Sequence, residues 1–193
     1  MVGEALGEAL LRAIATIEVE RVAYAIFGGL AANAWGRIRH TLDGDLLVFC
    51  PKDTLAILVD RLRDAGFSHH DGSDRFTVED IEIRRLWFPL RLLGVSVKID
   101  LVQSDSELYA EILKRRTQRA LLGKDLWTVS LEDLILLKLS AGRPVDQVDA
   151  LELLRLHLAT VDRGYLNRWA GRLGLGQALT DLLSRAAAQE PPF

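Results

Sequence analysis

The segment Thr-Leu-Asp-Gly-Asp, residues 41–45, places two aspartates one residue apart at the start of an apolar run. If this run forms a strand, side chains two positions apart project to the same side, so Asp43 and Asp45 lie next to each other. Two carboxylates held this close repel each other unless a proton or a cation lies between them. Mg²⁺, which prefers oxygen ligands, would remove the repulsion. The alternative is a turn in which both side chains cap their own backbone.

A magnesium site of this kind also needs a third carboxylate and a group that holds phosphate. Asp100 lies in residues 95–102, where apolar and polar residues alternate as in a half-buried strand. It supplies the carboxylate if this strand lies beside the one that starts at Asp45. Gly28 and Gly29 follow an apolar run and would expose backbone N–H groups to a phosphate. Taken alone, the glycine pair is only a turn and Asp100 only a solvated strand residue.

Four elements in the first third of the chain are predicted to position these residues. Residues 22–27 form a buried strand that stops at the glycine pair, and residues 30–35 have helical composition. A second strand covers residues 45–50, and a helix covers residues 53–66 with Asp53 as its N-cap. The order is therefore strand, helix, strand, helix.

The later part of the chain changes from strands to helices. The alternation Ile-Glu-Ile at 81–83 predicts a half-exposed hairpin within residues 75–94, which leads into the strand at 95–102. From residue 105 onward helices dominate, beginning with a helix over residues 105–122. One short strand at 126–129 interrupts them.

This combination resembles the nucleotidyltransferase superfamily, and the resemblance is most specific in residues 28–48. There a glycine pair, a helix, a glycine, an arginine and Thr-x-Asp-x-Asp precede apolar residues. The matching residues are Gly28, Gly29, Gly36, Arg39, Thr41, Asp43 and Asp45. The chain is most similar to the small bacterial enzymes of the minimal nucleotidyltransferase and AbiEii-like toxin group, and the resemblance covers roughly residues 22–155.

A second block, residues 131–153, resembles a later motif of the superfamily, in which a lysine on a helix precedes an arginine and Asp-x-x-Asp. The matching residues are Lys138, Arg143, Asp146 and Asp149. Asp146 and Asp149 also suit the first turns of a helix that begins at Pro144, where negative charge complements the helix dipole. Lys138 lies in an apolar stretch, so we expect it to contact a phosphate, to form an internal ion pair with Asp146, or to do both.

The resemblance implies a mixed α/β (α+β) fold with a small mixed sheet flanked by helices. Residues 1–129 would form the core and residues 130–193 a helical region packed on it. The implied reaction transfers a nucleoside monophosphate from an NTP to an acceptor hydroxyl, releases pyrophosphate and depends on Mg²⁺, with two ions expected. The implied catalytic residues are Asp43, Asp45, Asp100 and Lys138, of which the three aspartates bind metal. The implied nucleotide-binding residues are Gly28, Gly29, Arg39, Thr41, Lys138, Arg143 and Asp146.

The acceptor stays open, because a protein hydroxyl, a tRNA end, an antibiotic or another small molecule would each suit a metal-activated attack. Similarity to the toxin group implies an antitoxin partner. One residue departs from the family pattern: Gly44 stands where an apolar β-branched residue is common. Glycine loosens the start of a strand by about 0.5–1 kcal/mol. The alternative function is therefore a catalytically weak or inactive relative that binds nucleotide or a partner and acts as a regulator.

Composition limits the remaining possibilities. With 24 Lys and Arg against 27 Asp and Glu, the net charge is −3, so no overall field attracts nucleic acid. The single cysteine, Cys50, excludes an internal disulfide and a cysteine metal cluster. Residues 1–20 predict an amphipathic helix and not a targeting signal, and no apolar segment is long enough to cross a membrane. We expect a cytoplasmic protein with a disordered tail at 189–193.

Three further features allow a structural or a functional interpretation. His69 and His70 lie near acidic residues that could bind zinc with them, although adjacent histidines diverge and the spacing fits no recognised site. The basic run at 114–119 could receive an RNA backbone, but a solvated helix face is commoner and no aromatic residue interleaves with the run. Trp35 and Trp87 are expected to pack in the core, with Trp35 also a candidate for the nucleotide pocket.

Overall fold

The computed structural model describes residues 2–70, 72–78, 80–90 and 94–188, and these form a seven-stranded mixed sheet flanked by helices. The helices are α1 (Val2–Val19), α2 (Gly28–Ala34), α3 (Lys52–Asp64), α4 (Glu107–Arg115), α5 (Leu131–Ala141), α6 (Pro144–His157), α7 (Arg163–Arg172) and α8 (Gly176–Ala187). The strands are β1 (Ala23–Phe27), β2 (Asp43–Phe49), β3 (Arg75–Val78), β4 (Ile81–Leu90), β5 (Val95–Ser104), β6 (Thr117–Leu121) and β7 (Lys124–Thr128). Their order in the sheet is β3-β4-β5-β2-β1-β7-β6. The predicted mixed α/β fold is confirmed.

The glycine pair marks the change from β1 to α2. β1 ends at Phe27, and α2 begins directly at Gly28, whose φ of +66° is a conformation that glycine adopts without strain. β2 then runs antiparallel to β1 and pairs Asp45 with Phe27. The start of β2, which carries both aspartates, therefore lies beside the start of α2.

β2 and β5 are parallel neighbours near the centre of the sheet, and their register joins residues that are far apart in the chain. Asp45 pairs with Asp100, and Asp43 pairs with Lys98. On the other side of β5, Arg85 of β4 lies opposite Asp100. Because side chains alternate along each strand, all five side chains project from the same face of the sheet.

The opposite face of β2 packs against α1. Gly44 lies on this face, where a Cβ atom would be only 2.6 Å from Ile99 Cδ1 and 3.3 Å from Leu10 Cδ1. The absence of a side chain lets α1 approach the sheet closely, and apolar side chains from both elements fill the space. Gly44 therefore has a packing role that its position between two aspartates did not predict.

The helix predicted over residues 105–122 is wrong beyond Arg115. α4 ends there, Arg116 has an extended backbone with φ −52° and ψ 144°, and the following residues form β6, antiparallel to β7. The hydrogen bonds to β7 outweigh the helix propensity of the segment, which is a weak preference by comparison. The basic run at 114–119 is therefore divided between a helix end and an edge strand.

The predicted hairpin is present as β3 and β4, but its exposure differs from the prediction. Glu82 is only 3% exposed, and its Oε1 accepts a hydrogen bond from Arg84 Nε at 2.7 Å. Arg75 Nε of β3 lies 3.3 Å from the same oxygen. Glu82 lies on the more buried face of β4, the same face as Arg84, so the glutamate needs internal partners.

Some expectations fall outside the part of the chain that the structure describes. These are the disordered tail at 189–193, residues 79 and 91–93 of the hairpin segment, and residue 71 beside the two histidines. Within the described residues, none of the helices combines the length and the apolar character that a membrane span requires.

Candidate active site

The three predicted metal ligands come together where β2 and β5 run side by side. Asp45 and Asp100 are directly paired across the two strands. Lys98 Nζ lies 2.8 Å from Asp43 Oδ2 and 3.7 Å from Asp100 Oδ2, so these two oxygens are no more than about 6.5 Å apart, the sum of those distances. The fold therefore gathers three carboxylates from two segments more than 50 residues apart in the chain.

Two basic residues that the sequence did not single out contact this carboxylate cluster, Asp43, Asp45 and Asp100. Lys98 contacts two of its members, as described above. Arg85 Nε and Nη2 donate hydrogen bonds to the two oxygens of Asp100 at 3.0 and 3.1 Å. Lys98 could have been noticed, since it alternates with Asp100 on the predicted strand. The role of Arg85 follows only from the pairing of β4 with β5.

Asp45 makes no hydrogen bond or ion pair through its side chain with another residue that the structure describes. Burial, followed by the charges of Asp100 and Asp43, raises the pKa of Asp45 to about 6, against the opposing effect of Lys98 and Lys138. Its carboxylate lies against Gly28, where a Cβ atom would be 2.0 Å from Asp45 Oδ2. Asp45 therefore carries an incompletely neutralised charge of the kind that a bound cation stabilises.

No three Asp, Glu, His or Cys side chains are arranged as a ready metal site in the described part of the chain. Two of the three carboxylates already have cationic partners, since Arg85 holds both oxygens of Asp100 and Lys98 contacts Asp43. The donor atoms nevertheless suit a hard cation such as Mg²⁺, since all are carboxylate oxygens. The chemistry of the carboxylate cluster fits the metal that the family resemblance implies, and Asp43 must give up its contact with Lys98 to bind it.

The glycine pair begins α2, but it does not form an open cradle above Gly29. A Cβ atom on Gly29 would be 2.8 Å from Thr41 Oγ1 and 3.1 Å from Arg39 Nη2. Thr41 Oγ1 donates a hydrogen bond to the backbone carbonyl of Asp43 at 3.2 Å. The side-chain amide of Asn33 donates to the backbone carbonyl of Arg39 and accepts from its backbone N–H. The predicted phosphate-binding residues of this segment therefore pack against one another.

A charge cluster with a buried centre joins α5 and α6 to the loop before β2, and it consists of Lys138, Asp146, Asp149, Arg39 and Arg143. Lys138 Nζ donates to Asp146 Oδ1 at 2.7 Å and to Asp149 Oδ2 at 2.8 Å, and these three side chains are at most 4% exposed. Arg39 Nε donates to both oxygens of Asp149 at 3.1 and 3.0 Å, and Arg143 Nε donates to Asp146. Burial raises the pKa of Asp146, but hydrogen bonds from Arg143 and Lys138 lower it overall. Lys138 is thus in the internal ion pair, with a second aspartate as partner.

A cavity of about 290 Å³ lies between the carboxylate cluster and the charge cluster. Its polar lining residues are Gly28, Asp45, Asp100, Lys138, Ser140, Arg143 and Asp146. Its apolar lining includes Ile81, Ile83, Val102, Tyr109 and Leu134. The volume is near the lower end of the range for small-molecule sites, which is roughly 300–1,000 Å³. A cavity with charged and apolar walls suits a ligand that carries an anionic group on a less polar body.

The basic run at 114–119 contacts aromatic side chains, although no aromatic residue interleaves with it in the sequence. Three of its arginines lie over rings at 3.7 to 4.7 Å from the centroid: Arg115 over Tyr165, Arg116 over Trp127 and Arg119 over Trp35. The rings come from other elements, which is why the local sequence does not show them. Each ring is already covered by a guanidinium, so these contacts hold elements together and leave no open stacking surface.

The remaining candidates from the sequence, two histidines and two tryptophans, lie outside the carboxylate cluster. His69 is buried and its Nδ1 donates to a backbone carbonyl of β4 at 2.8 Å. The backbone N–H of His70 and the indole N–H of Trp87 both donate to Asp74, at 2.9 and 3.1 Å. Trp35 lines a different cavity and is not among the described residues around Asp45. These contacts support a structural interpretation of His69, Trp35 and Trp87, whereas exposed His70 contributes its backbone N–H.

No protein-family model matches the chain, and no curated protein matches its sequence. Solved structures do match over most of its length. An antigenic nucleotidyltransferase-like protein from Paracoccidioides brasiliensis is 17% identical with a TM-score of 0.54, covering 98% of this chain and 95% of that one. The antibiotic-resistance factor ANT(2'')-Ia is 14% identical with a TM-score of 0.56, and the match covers 91% of this chain and 94% of that one. Its complex with adenylyl-2''-tobramycin is 15% identical with a TM-score of 0.53, covering 93% and 97%. Identities this low establish the fold alone, and the fold of this chain is that of nucleotidyltransferase-like proteins.

Proposed function

We propose that the chain transfers a nucleoside monophosphate from an NTP to an acceptor hydroxyl, with Mg²⁺ as its cofactor. The observation that carries this proposal is the direct pairing of Asp45 with Asp100 on adjacent parallel strands, with Asp43 on the same face. Holding these carboxylates together without a metal is unfavourable, since burial and then the charges of Asp100 and Asp43 raise the pKa of Asp45. The nucleotidyltransferase-like fold supports the same activity.

Asp43, Asp45 and Asp100 would hold Mg²⁺, with two ions expected from the family resemblance. When bound, Mg²⁺ neutralises charge on the triphosphate and polarises the acceptor hydroxyl. Asp45 is oriented by its contact with Gly28, and Asp100 by its two hydrogen bonds with Arg85. These contacts place the carboxylates at one end of the cavity before any substrate binds.

The charge cluster suits the triphosphate of the donor. Its three basic side chains exceed its two aspartates, so the charge cluster has a net positive charge, and its members Lys138, Arg143 and Asp146 line the cavity. The Arg143 side chain is 70% exposed and can contact a phosphate without disturbing the buried ion pairs. Lys138 and Arg39 then act mainly through their charge, and the backbone N–H of Gly28, which lines the cavity, completes the donor site.

In the transfer step, the acceptor oxygen forms a bond to the α-phosphorus of the NTP. The bond from that phosphorus to the oxygen bridging to the β-phosphorus breaks, and pyrophosphate leaves with the electron pair. The acceptor proton passes to Asp100. Arg143 and Lys138 stabilise the negative charge that develops on the leaving pyrophosphate.

The second candidate function is a catalytically weak or inactive relative that binds nucleotide or a partner and acts as a regulator. One observation favours it: Asp43 and Asp100 already have the chain's own cations as partners. Gly44, which first suggested this alternative, no longer supports it, since the close packing of α1 accounts for the glycine.

Two details of the proposed function remain to be assigned: the group of the superfamily to which the chain belongs, and the acceptor of the nucleotide. We assign the chain to the minimal nucleotidyltransferase and AbiEii-like group on its motif spacing, with an antitoxin partner and a cytoplasmic location, where NTPs are available. The acceptor is a protein hydroxyl, a tRNA end or a small molecule. Because ANT(2'')-Ia was solved with adenylyl-2''-tobramycin, tobramycin belongs among the acceptors to be tested.

The proposal is tested by incubating the protein with each of four α-labelled NTPs, Mg²⁺ and either cell lysate or tobramycin. We expect one NTP to leave label in one fraction, protein, RNA or small molecules, with release of pyrophosphate. Asp45→Asn should lower the rate by at least about 100-fold. Asp125→Asn, an exposed strand aspartate, is the matched control and should retain activity. NTP binding by the wild type without transfer would favour the regulator instead.

Donor binding is tested at Gly28. Gly28→Ala combines a strained positive φ with a Cβ atom 2.0 Å from Asp45 Oδ2. Gly174→Ala has a similar φ of +69° but nothing within 4 Å, so it carries the strain without the collision. We expect the NTP-dependent rise in melting temperature to be lost in Gly28→Ala and kept in Gly174→Ala. An equal rise in both variants would contradict this placement of the triphosphate.

A further inference from the structure

Lys98 occupies an unusual place for a lysine, between two carboxylates of the carboxylate cluster. It lies on β5 next to Asp43 of β2 in the register, two residues before Asp100. Its ammonium is 2.8 Å from Asp43 Oδ2 and 3.7 Å from Asp100 Oδ2, and 22% of its side chain is exposed. A positive charge already lies between two carboxylates to which the proposed function assigns a divalent ion.

The third carboxylate also lies near this charge. Asp45 is paired with Asp100 across β2 and β5, and its side chain projects from the same face of the sheet as Lys98. One ammonium therefore lies among three carboxylates and is closest to Asp43. This is the electrostatic position of a bound cation.

Lys98 and Arg85 differ in how firmly they are held. Arg85 makes two hydrogen bonds to Asp100, and its guanidinium lies 4.9 Å from the centroid of the Phe76 ring. Lys98 has one short contact and one longer one, at the end of a flexible four-carbon chain. A planar guanidinium fixed on two sides stays in place, whereas an ammonium on a flexible chain can move away.

We propose that Lys98 is a built-in counter-ion of the carboxylate cluster, which it neutralises in the metal-free protein and leaves when a divalent cation binds. The inference rests on the proposed function, since it takes Asp43, Asp45 and Asp100 to be metal ligands. Its consequence is that the cation competes with Lys98, so the protein binds metal more weakly than the same carboxylates would without the lysine. In return, the metal-free protein keeps its carboxylates together.

The test measures binding of Mn²⁺ and of Mg²⁺ by titration calorimetry in the absence of nucleotide. Lys98→Met keeps the length of the side chain and removes its charge. Because one charge a few ångströms from the metal is removed, we expect Lys98→Met to bind either cation about tenfold more tightly than the wild type. Lys124→Met removes an exposed lysine of β7 and should change the affinity by less than about twofold.

Two further measurements separate a counter-ion from a simple structural residue. Without metal, Lys98→Met should melt at a lower temperature than the wild type, and saturating Mg²⁺ should restore most of the loss. Lys98→Arg keeps the charge, so its metal affinity should be no higher than that of the wild type.

The outcomes distinguish failure of the inference from failure of the proposed function. If the wild type binds Mn²⁺ and Lys98→Met binds it no more tightly, Lys98 is a structural residue and the inference is overturned while the metal site remains. If Lys98→Arg gains affinity as Lys98→Met does, charge is not the cause and the inference is again overturned. If none of the proteins binds either cation, both the metal site and the inference are wrong.

Discussion

At the scale of single residues, Asp45 is the group on which the site depends. It belongs to an inner strand, its neighbours Asp43 and Asp100 carry the same charge, and its carboxylate lies against Gly28. Asp43 has Lys98 and Asp100 has Arg85, whereas the Asp45 side chain lacks a partner of its own in the described part of the chain. Loss of its charge should therefore affect stability and metal binding in opposite directions.

The first prediction follows from the pKa of Asp45, which is raised to about 6 in the folded protein. A carboxyl group whose pKa is raised by folding favours the folded state at low pH and loses that contribution as the pH rises through its folded pKa. Metal-free wild type should therefore lose stability relative to Asp45→Asn between about pH 4 and pH 6. At pH 7.5 we expect Asp45→Asn to be more stable by about 1–2 kcal/mol, measured by urea unfolding.

The control for this prediction is Asp125→Asn, which should change the free energy of unfolding by less than about 0.5 kcal/mol at either pH. Addition of Mg²⁺ should stabilise the wild type and leave Asp45→Asn unchanged. If Asp45→Asn were less stable than the metal-free wild type at pH 7.5, Asp45 would be a structural residue.

At the scale of elements, the charge cluster connects α5, α6 and the loop that leads to β2. Lys138 is 3% exposed, and its partners Asp146 and Asp149 are 1% and 0% exposed. Arg39 reaches Asp149 from 110 residues earlier in the chain. A buried ion pair is not a strong net source of stability, but removing one partner leaves an uncompensated charge in the interior. The cluster therefore fixes how the two helices meet the sheet.

The second prediction concerns Lys138→Met. It leaves two buried carboxylates with only arginine partners, so we expect the free energy of unfolding to fall by about 3–5 kcal/mol in urea. Arg143→Met removes a partner whose side chain is 70% exposed and should lower it by about 1 kcal/mol or less. Similar losses in both variants would contradict the assignment of Lys138 as the buried centre of the cluster.

At the scale of the whole molecule, helices from the second part of the chain complete the core of the first. The buried apolar side chains form one cluster that includes Leu10 of α1, Leu46 of β2, Leu134 of α5 and Leu182 of α8. The cavity at Asp45 is likewise lined from both parts, by strands before residue 129 and by α5 after it. The division into residues 1–129 and 130–193 stays a prediction, and we infer that the two regions fold together.

The third prediction is a single cooperative unfolding transition. Far-ultraviolet circular dichroism and tryptophan fluorescence should give coincident urea curves, because tryptophans lie in both regions, for example Trp127 and Trp169. A fragment of residues 1–129 should lack a cooperative transition, since it loses helices whose apolar side chains belong to the same hydrophobic core. Two separate transitions, or a stable fragment, would show independent domains.

The sequence by itself determined the local elements and the residue types of the candidate site. The short apolar runs, the glycine pair at 28–29 and the position of Pro144 predicted strands, the start of α2 and the start of α6 close to where they lie. Asp43 and Asp45 could be placed on one face because the two-residue period of a strand is a local property. Asp100 could be placed on the polar face of its own strand for the same reason.

Only the tertiary structure decided which strands are neighbours, and with them the partners of each charge. The parallel register of β2 and β5 brings Lys98 to Asp43, and the pairing of β4 with β5 brings Arg85 to Asp100. The same cause turned residues 117–121 into a strand, because hydrogen bonds to β7 outweigh a helix propensity of a few tenths of a kcal/mol per residue. Register and strand order depend on the packing of the whole sheet, and no local pattern in the sequence contains them.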